Sequence, residues 1–473
     1  MSGLQELTRE ELIELVLKLH ETVQTQAARI AELEAIVQRQ SERISELEEE
    51  VARLRGNRPG GIALKPSVKH KEKKSRKGRS HSFARRALLA TDVVYHAVES
   101  CPDCGRKLSG GSLKWRHQVV DIPPVQARVT DHLFLERRCG VCGKKWTPEP
   151  TEVLAELVVG RKNVGIGLMS LVAHLKTVCR VPIEPIRKLL STLWGVKVSS
   201  GELVEILHDV AEIGQAEYES LLGRVRGSPV VHGDETGWRE DGVNGYLWSF
   251  STPEVRYYTY RHSRGSVVVK EVLSDDFAGA LVTDFYAAYN IYLGTKQRCW
   301  VHLGRDLETL KEKNPDMTEV VAWADAVMGV YYRAKDSMNG EHKDRERLKL
   351  RQRFEAELLG LAGPYLRVKS APQRVLAERI ERFIAELLVF VQYPEVPSEN
   401  NAAERAIRPA VVARKISGGT RSERGSRTSS ILRSLFESWN LEGQNTIDAC
   451  RSMLVSYNRH PSPAFPYKSL PQN

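Results

Sequence analysis

The sequence lacks any run of about 18 apolar residues, the length needed to cross a bilayer. Its first segment, MSGLQELTREELIEL, is acidic and lacks the basic region and apolar core of a secretory signal. We therefore expect a cytoplasmic protein with no membrane partner. The seven cysteines are an odd number, and four of them form two CxxC pairs. This spacing argues against a disulfide framework and favours metal binding in a reducing compartment.

Positive charge is concentrated in one segment of the chain. The net charge is +10, and residues 55–90 contain 12 Lys or Arg against a single acidic residue, Glu72. Such a segment suggests a polyanion as partner, although a solubilising linker is the alternative. Its few apolar residues predict disorder until it binds. The side chains predicted to contact DNA phosphates in this segment are Lys71, Lys73, Lys74, Arg76, Lys77 and Arg79.

A heptad pattern occupies the first 55 residues. Thirteen seam positions from Leu12 to Leu54 alternate in steps of four and three, and eleven of them are apolar. Val or Ile at the a positions with Leu at the d positions favours a parallel dimer. Residues 1–55 are therefore predicted to be a coiled-coil dimerisation helix, with a lone amphipathic surface helix as the alternative.

Two CxxC-G motifs are separated by 34 residues and pair Cys101 with Cys104 and Cys139 with Cys142. Each knuckle turns two thiolates toward one point, and two knuckles complete a tetrahedral zinc site. Four cysteine ligands leave no open position, so a structural Zn²⁺ is predicted within a module of residues 96–150. The alternating residues between the knuckles predict a hairpin.

Residues 151–226 have a helical pattern with a turn at Gly195. Ser199 and Glu202 have the spacing of a capping box at the start of the second helix. The pattern is compatible with a helix-turn-helix that binds DNA. Because the second helix has few side chains suited to reading bases, scaffolding is the alternative.

Three carboxylates occur in contexts typical of a metal site. Asp234 and Asp284 each follow an apolar, strand-like segment that is predicted to end there, and Glu404 lies on a short helix predicted to stop at Pro409. Carboxylates from separate elements can hold two cations about 3.5–4 Å apart for in-line attack on a phosphodiester. Oxygen ligands suit Mg²⁺ or Mn²⁺. A surface ion pair with Arg408 is the alternative for Glu404, and spacing alone does not identify the chemistry.

Basic side chains near these carboxylates are predicted to contact DNA. His302 and Arg305 share a helix face with Cys299. The stretch ARKISGGTRSERGSRTSS is predicted to be a loop that offers donors to phosphates. The further predicted contacts are Arg405, Arg408, Arg414 and Lys415.

These motifs together resemble the TnpC-type DDE transposases of the insertion-sequence-sixty-six group, in the same order and over nearly the whole chain. The motifs that carry the resemblance include CPDCG, CGVCG, HGDETGW, VTDFYAAY, CWVHLGRDL and NNAAERAIRP. The resemblance implies that Asp234, Asp284 and Glu404 form the catalytic triad of a ribonuclease-H-like domain interrupted by a helical insertion. The sequence departs from the family at Ser398-Glu399, which makes Glu399 the alternative third carboxylate.

We therefore predict a multidomain α/β protein that acts as a DNA transposase in the prokaryotic nucleoid. It would bind the terminal inverted repeats of an insertion sequence and target DNA as a homodimer, with accessory proteins of the same element, and catalyse cleavage and strand transfer. A non-catalytic DNA-binding regulator and a metal-dependent nuclease are the alternatives. The predicted domains are the coiled coil (1–55), basic linker (56–95), zinc-binding module (96–150), helical DNA-binding segment (151–226), first catalytic part (227–310), helical insertion (311–395) and second catalytic part with C-terminal helices (396–473).

Overall fold

The computed structural model describes residues 88–122, 125–160 and 162–459, together with the isolated positions His20, Gln24 and Gln38. Apart from these positions, the predicted coiled coil and most of the basic linker lie outside the described residues. The chain divides into two compact units, Met1–Val120 and Asp121–Asn473. Among the described residues, no helix is both long and apolar enough to span a membrane.

The described helices and strands all lie in the second unit, and they alternate in a mixed α/β order. The strands are β1 (Arg137–Arg138), β2 (Lys145–Trp146), β3 (Val230–Glu240), β4 (Val243–Ser251), β5 (Arg256–Arg261), β6 (Ala280–Thr283) and β7 (Lys296–Arg298). The α-helices are α1 (Pro150–Val153), α2 (Ile166–Thr177), α3 (Ile183–Trp194), α4 (Ser200–Ile213), α5 (Gln215–Arg226), α6 (Val267–Leu273), α7 (Trp300–Lys313), α8 (Thr318–Asp336), α9 (Asp344–Ala362), α10 (Arg374–Leu387), α11 (Val389–Gln392), α12 (Asn401–Ser417), α13 (Glu423–Leu441) and α14 (Thr446–Arg459).

The hairpin predicted between the two CxxC motifs is wrong. The described residues 117–122 and 125–136 contain no strand, and β1 instead pairs with β2 across the second CxxC motif. Val129 and Leu133 are 89% and 85% exposed, so no core buries one face of this segment. Pro123 and Pro124 also lack the backbone N–H groups that a strand ladder needs.

The helices between residues 166 and 226 follow the sequence closely. α3 ends at Gly195, whose φ of 68° suits a residue without a side chain, and Ser199 Oγ caps α4 by accepting from Glu202 N at 3.1 Å. α4 packs against α2 and α13, and Leu203 and Val210 on it are fully buried. Eight of the 14 residues of α4 are buried, and its exposed charged side chains, Glu202, Glu205 and Glu212, are acidic and would repel DNA phosphates, so the scaffolding alternative is favoured for α4.

A mixed five-stranded sheet has the strand order β5-β4-β3-β6-β7. β3, β4 and β5 are antiparallel, whereas β6 and β7 run parallel to β3. The prediction that the first strand ends at Asp234 is wrong, because β4 pairs with β3 from His232 as far as Glu240. The two strands are joined by Asp241 and Gly242, with φ values of 46° and 80° that are typical of a tight hairpin turn.

Two boundaries after residue 400 also differ from expectation. Pro409 does not end its helix, since α12 continues to Ser417. The small side chains of Ala410 and Ala413 pack against Trp238 and Tyr258, and this burial outweighs the backbone hydrogen bond that proline removes. The predicted loop of donors is limited to residues 418–422, because α13 begins at Glu423.

The serines of α13 explain why this Ser-rich stretch is helical. β5 is the edge strand of the sheet, and its outward backbone N–H groups donate to serine hydroxyls spaced four residues apart on α13. Four helical residues rise about 6 Å and two strand residues about 6.8 Å, so the spacings match. The bonds join Tyr260 N to Ser430 Oγ (3.1 Å), Tyr258 N to Ser434 Oγ (2.8 Å) and Arg256 N to Ser438 Oγ (3.0 Å).

We expect Ser434→Ala to lower the free energy of unfolding by about 1–2 kcal/mol, because the buried N–H of Tyr258 would lose its acceptor. Urea denaturation followed by tryptophan fluorescence measures this change. Ser429→Ala is the control on the same helix, since its half-buried hydroxyl accepts only from Arg433 and bonds no strand. Equal effects of the two substitutions would contradict the role given to the serine row.

Candidate active site

Asp234 lies within β3, two residues beyond the last pair that this strand forms with β6. Side chains alternate along a strand, so Asp234 shares the face of Trp238, which packs against α12. Burial, together with the neighbouring charges of Glu235, Asp284 and Glu404, raises the pKa of Asp234 to about 7, although the hydrogen bond from Glu235 N opposes this rise. Such a carboxyl is poised to exchange its proton for a cation near neutral pH.

Asp284 follows β6 directly and is level with Asp234 along the sheet. The register pairs His232 with Val282, so each aspartate lies two residues beyond the same pair. Asp284 Oδ1 accepts from Tyr286 N at 2.9 Å. The two aspartates therefore lie at the same level of two adjacent parallel strands, one within β3 and one directly after β6.

A fully buried arginine fixes the backbone at Asp284. Arg298 donates to the carbonyl of Asp284 at 2.8 Å and to Glu386 Oε2 at 2.6 Å. It also donates to Asn290 Oδ1 at 2.5 Å. Because Glu386 lies on α10, this arginine connects the helical segment to the loop that carries Asp284. Sequence reasoning missed both members of this pair, since their 88-residue separation gives no local signal.

Glu404 lies in the first turn of α12 and has an unsatisfied carboxylate oxygen. Its Oε1 is buried without a hydrogen-bond partner. Arg305 Nη1 at 3.6 Å and His302 Nε2 at 3.8 Å are the nearby basic groups, and both are too distant for a normal hydrogen bond. His302 Nδ1 is also buried and unpartnered. An orphaned carboxylate oxygen beside two other acids suits a hard cation.

Asp284 and Glu404 raise the pKa of Asp234, but the three acids do not form a closed ligand set. In the described part of the chain, no three His, Cys, Asp or Glu side chains lie close enough together to hold a metal ion. The donor chemistry nevertheless fits Mg²⁺ or Mn²⁺, because three carboxylates converge and one buried oxygen lacks a partner. The alternative of an ion pair between Glu404 and Arg408 is not seen among the described ion pairs, where Glu404 instead faces Arg305 and His302.

Asn400 ties these elements together. This residue is 2% exposed, and its Nδ2 donates to the carbonyl of Gly233 at 2.8 Å. Its Oδ1 lies 2.9 Å from His232 Nδ1, and its backbone N donates to Cys299 Sγ at 3.1 Å. Its carbonyl accepts from Glu404 N at 3.2 Å. Asn400 therefore joins β3, the start of α7 and the start of α12, a role that its place in the NNAAER motif did not reveal.

Glu399, the alternative third carboxylate, is engaged elsewhere. Its Oε2 accepts from Asn401 Nδ2 at 2.7 Å, and its Oε1 lies 3.7 Å from Lys335 Nζ on α8. It is not among the charges that raise the pKa of Asp234. These contacts favour Glu404 over Glu399 as the acid nearest the two aspartates.

The basic residues predicted to contact DNA fall into four groups. His302 and Arg305 lie beside Glu404, and Arg405, Arg408 and Lys415 are exposed on α12. Arg414 instead braces β3, because its Nη1 donates to Thr236 Oγ1 at 3.1 Å and to the carbonyl of Gly237. The predicted contacts of the basic linker (Lys71, Lys73, Lys74, Arg76, Lys77 and Arg79) lie outside the described residues.

The two CxxC knuckles have the same local geometry. Cys101 N donates to the carbonyl five residues later at 2.9 Å, and Cys139 N does so at 2.8 Å. Each knuckle closes with a glycine of positive φ, 72° at Gly105 and 73° at Gly143. Hydrogen bonds from backbone amides, chiefly those of the second cysteine in each knuckle, lower the pKa of Cys101 and Cys139. A pre-formed knuckle that stabilises a thiolate fits a zinc ligand.

Comparisons with known proteins match two segments of the chain, one that contains the two knuckles and one that contains the three acids. The profile described as "Transposase IS66 family" matches residues 161–428, and that of the "zinc-finger binding domain of transposase IS66" matches residues 99–143, which include all four knuckle cysteines. The uncharacterized protein y4qI of Sinorhizobium fredii (strain NBRC 101917 / NGR234) is 24% identical over 291 residues, 54% of this chain and 52% of the relative. The uncharacterized protein y4jO of the same strain is 31% identical over 133 residues, 28% of this chain and 40% of the relative.

These two curated relatives are matched over about half of their length or less. The transposase profile, in contrast, spans more than half of the 473 residues and contains Asp234, Asp284 and Glu404. The chain therefore belongs to the IS66 family of transposases.

Proposed function

We propose that this chain cleaves the ends of an insertion sequence and joins them to target DNA by a DDE mechanism. The observation that carries the proposal is that Asp284, directly after β6, and Glu404, on α12, are both near enough to Asp234 on β3 to raise its pKa. The unsatisfied oxygen of Glu404 adds a ligand position that no protein group fills among the described residues.

The arrangement of the sheet supports a ribonuclease-H-like catalytic domain. Three antiparallel strands are followed by two strands parallel to the first, and the acids lie on the first strand, after the fourth, and on a later helix. α7 to α11 enclose a separate apolar core that includes Trp300, Val327, Phe354 and Ile380. This core supports the proposal that a helical insertion interrupts the catalytic domain.

The carboxylates of Asp234, Asp284 and Glu404 would hold Mg²⁺ or Mn²⁺. When bound, the cations supply an activated water or 3′-hydroxyl and stabilise the leaving oxygen. The protein's own part is to place Asp234 near Asp284 and Glu404, to orient Glu404 through Asn400, and to hold the Asp284 backbone through Arg298. His302 and Arg305 would bind a phosphate beside Glu404, and the exposed basic residues of α12 would bind the DNA backbone.

The remaining parts of the chain would bring two DNA ends together. We propose that Cys101, Cys104, Cys139 and Cys142 hold a structural Zn²⁺, that the basic linker contacts phosphates, and that the heptad segment forms a homodimer. Double-stranded DNA with the terminal repeats is the proposed partner, together with target DNA and accessory proteins of the same element. The lowered pKa of the first thiol in each knuckle is the structural support for the zinc proposal.

Asp234→Asn is expected to lower cleavage and strand transfer by at least about a thousandfold, because it removes a ligand of the proposed cations. Binding of a duplex that carries an element end should stay within about twofold, since Asn keeps the shape and the bond from Glu235 N. Gel assays of cleavage and joining with Mg²⁺ measure the loss, and Asp316→Asn, an exposed acid, is the control. Mg²⁺-dependent cleavage that survives in Asp234→Asn would refute the assignment.

The same substitution is expected to stabilise the metal-free protein above neutral pH. The folded pKa of Asp234 is raised to about 7, so the unfolded chain ionises first and the contribution of this group to stability is lost as the pH rises from about 4 to about 7. Asp234→Asn should therefore raise the free energy of unfolding by about 1 kcal/mol or more at pH 8 and have little effect at pH 4. Denaturation in EDTA at both pH values tests this difference, which a pH-independent effect would contradict.

Cys101→Ser or Cys139→Ser is expected to reduce bound zinc from about one ion per chain to near zero, because three thiolates hold zinc more weakly than four. Zinc is measured by atomic absorption on the purified, dialysed protein. Cys179→Ser is the control, since that exposed cysteine lies outside both knuckles. Unchanged zinc content in both knuckle variants would rule out the proposed site.

A further inference from the structure

Glu235 points away from Asp234, to the opposite face of β3, and its carboxylate is buried. Its side chain is 3% exposed. Oε1 accepts from Arg264 Nη2 at 2.8 Å and Nε at 3.2 Å, and Oε2 accepts from Tyr289 Oη at 2.7 Å. Both carboxylate oxygens are therefore satisfied by donors on other elements. Burying the charged carboxylate of Glu235 beside other acids costs free energy unless a cation pairs with it. That cation is Arg264.

Arg264 is held from several sides. Its guanidinium carbon lies 4.0 Å from the ring centre of Tyr286 and 5.7 Å from that of Tyr246. Tyr286 Oη also donates to the carbonyl of Arg264 at 2.8 Å. Stacking and a shared carboxylate fix the plane of the guanidinium, so little conformational entropy remains to be lost when it binds another group.

Despite these contacts, the guanidinium of Arg264 has donors that can bind a further group. Its side chain is 47% exposed, and Nη1 makes no hydrogen bond within the described residues. Arginine presents two parallel donors to a phosphate in the geometry that this free edge offers. The exposed part of the guanidinium is thus an anion-binding group whose orientation the protein has already set.

Arg264 lies close to Asp284 of the acid cluster. Tyr286, on which it stacks, donates its backbone N–H to Asp284 Oδ1 at 2.9 Å. The arginine therefore lies over the turn that follows Asp284, whereas Arg305 and His302 lie beside Glu404. A DNA strand that enters a cluster of carboxylates needs cations on its flanks to offset the repulsion between phosphates and acids.

We propose that Arg264 binds a DNA phosphate next to Asp284 and that Glu235 is the positioning residue that orients its guanidinium. The proposal rests on the proposed function, because it names the contact that holds the substrate strand at that site. It also explains the acidic pair Asp234-Glu235. Asp234 would bind the cations, and Glu235, on the other face of the strand, would orient the guanidinium of Arg264. A purely structural ion pair would leave DNA binding unaffected.

The test is a double-mutant cycle between the arginine and individual phosphates. Duplexes with one element end carry a single neutral methylphosphonate at successive positions around the cut site, and their affinity is measured by fluorescence anisotropy in Ca²⁺. We expect wild type to bind about tenfold more weakly when one particular phosphate is neutral. Arg264→Gln should bind the unmodified duplex about tenfold more weakly and be insensitive to that same modification.

Further variants separate positioning from folding. Glu235→Gln keeps Arg264 but removes the charge that orients its guanidinium. We therefore expect an intermediate loss of affinity for the duplex, which still depends in part on the charge of the same phosphate. Arg264→Lys should restore part of the affinity, because it keeps the charge and loses the planar fork. Arg264→Gln leaves Glu235 buried without its cation, so the double variant Glu235→Gln/Arg264→Gln is the folded comparison if the single variant is unstable. Arg333→Gln, a half-exposed arginine paired with Glu357 on α9, is the matched control and should behave as wild type.

The outcomes distinguish this inference from the proposed function. Independent, additive losses at every phosphate, or wild-type affinity of Arg264→Gln, would overturn the role of Arg264. Coupling in Ca²⁺ without any cleavage by wild type in Mg²⁺ would uphold the phosphate contact and overturn the catalytic proposal. Absence of wild-type binding to every duplex would overturn both.

Discussion

The candidate active site depends on the hydrogen bonds of one buried amide, that of Asn400. β3 and α12 are more than 160 residues apart in the sequence, and six α-helices, α6 to α11, intervene between them. The side chain of Asn400 forms hydrogen bonds with His232 and with the carbonyl of Gly233, and its backbone carbonyl accepts a hydrogen bond from Glu404 N. Because a buried amide that loses a partner is costly, these bonds fix the first turn of α12 against the strand that carries Asp234. This connection sets the position of Glu404 relative to Asp234.

The acid cluster itself opposes folding, and the surrounding charges only partly compensate. Asp234 is protonated more readily than an ordinary aspartate because burial and three neighbouring acids raise its pKa. The nearest cations of Glu404 lie beyond hydrogen-bonding distance, and Arg298 satisfies the carbonyl of Asp284 and not its carboxylate. Such an arrangement trades stability for function, since full neutralisation by protein groups would leave no ligand position for a metal ion.

Local features of this fold were predictable from the sequence, and features set by distant contacts were not. The glycine that ends α3, the serine cap of α4 and the neighbouring aspartates after β6 and within β3 follow from short patterns. The errors at Asp234, Pro409 and the Ser-rich stretch share one cause: strand pairing with β4, burial of Ala410, and serine bonds to the edge of β5 each override local propensity. The Asp241-Gly242 hairpin, in contrast, carried a readable local signal.

The helical segment between β7 and α12 is more than a spacer, because it contacts both ends of the site. Glu386 on α10 holds Arg298, which fixes the backbone of Asp284, and Lys335 on α8 lies beside Glu399 at the entry to α12. The start of α7 supplies Cys299, whose sulfur accepts from Asn400 N. A helical core that contacts both the aspartate loop and the glutamate helix can hold the acids in fixed positions relative to one another. This is the physical reason to expect that changes deep within these helices would alter the site without touching it.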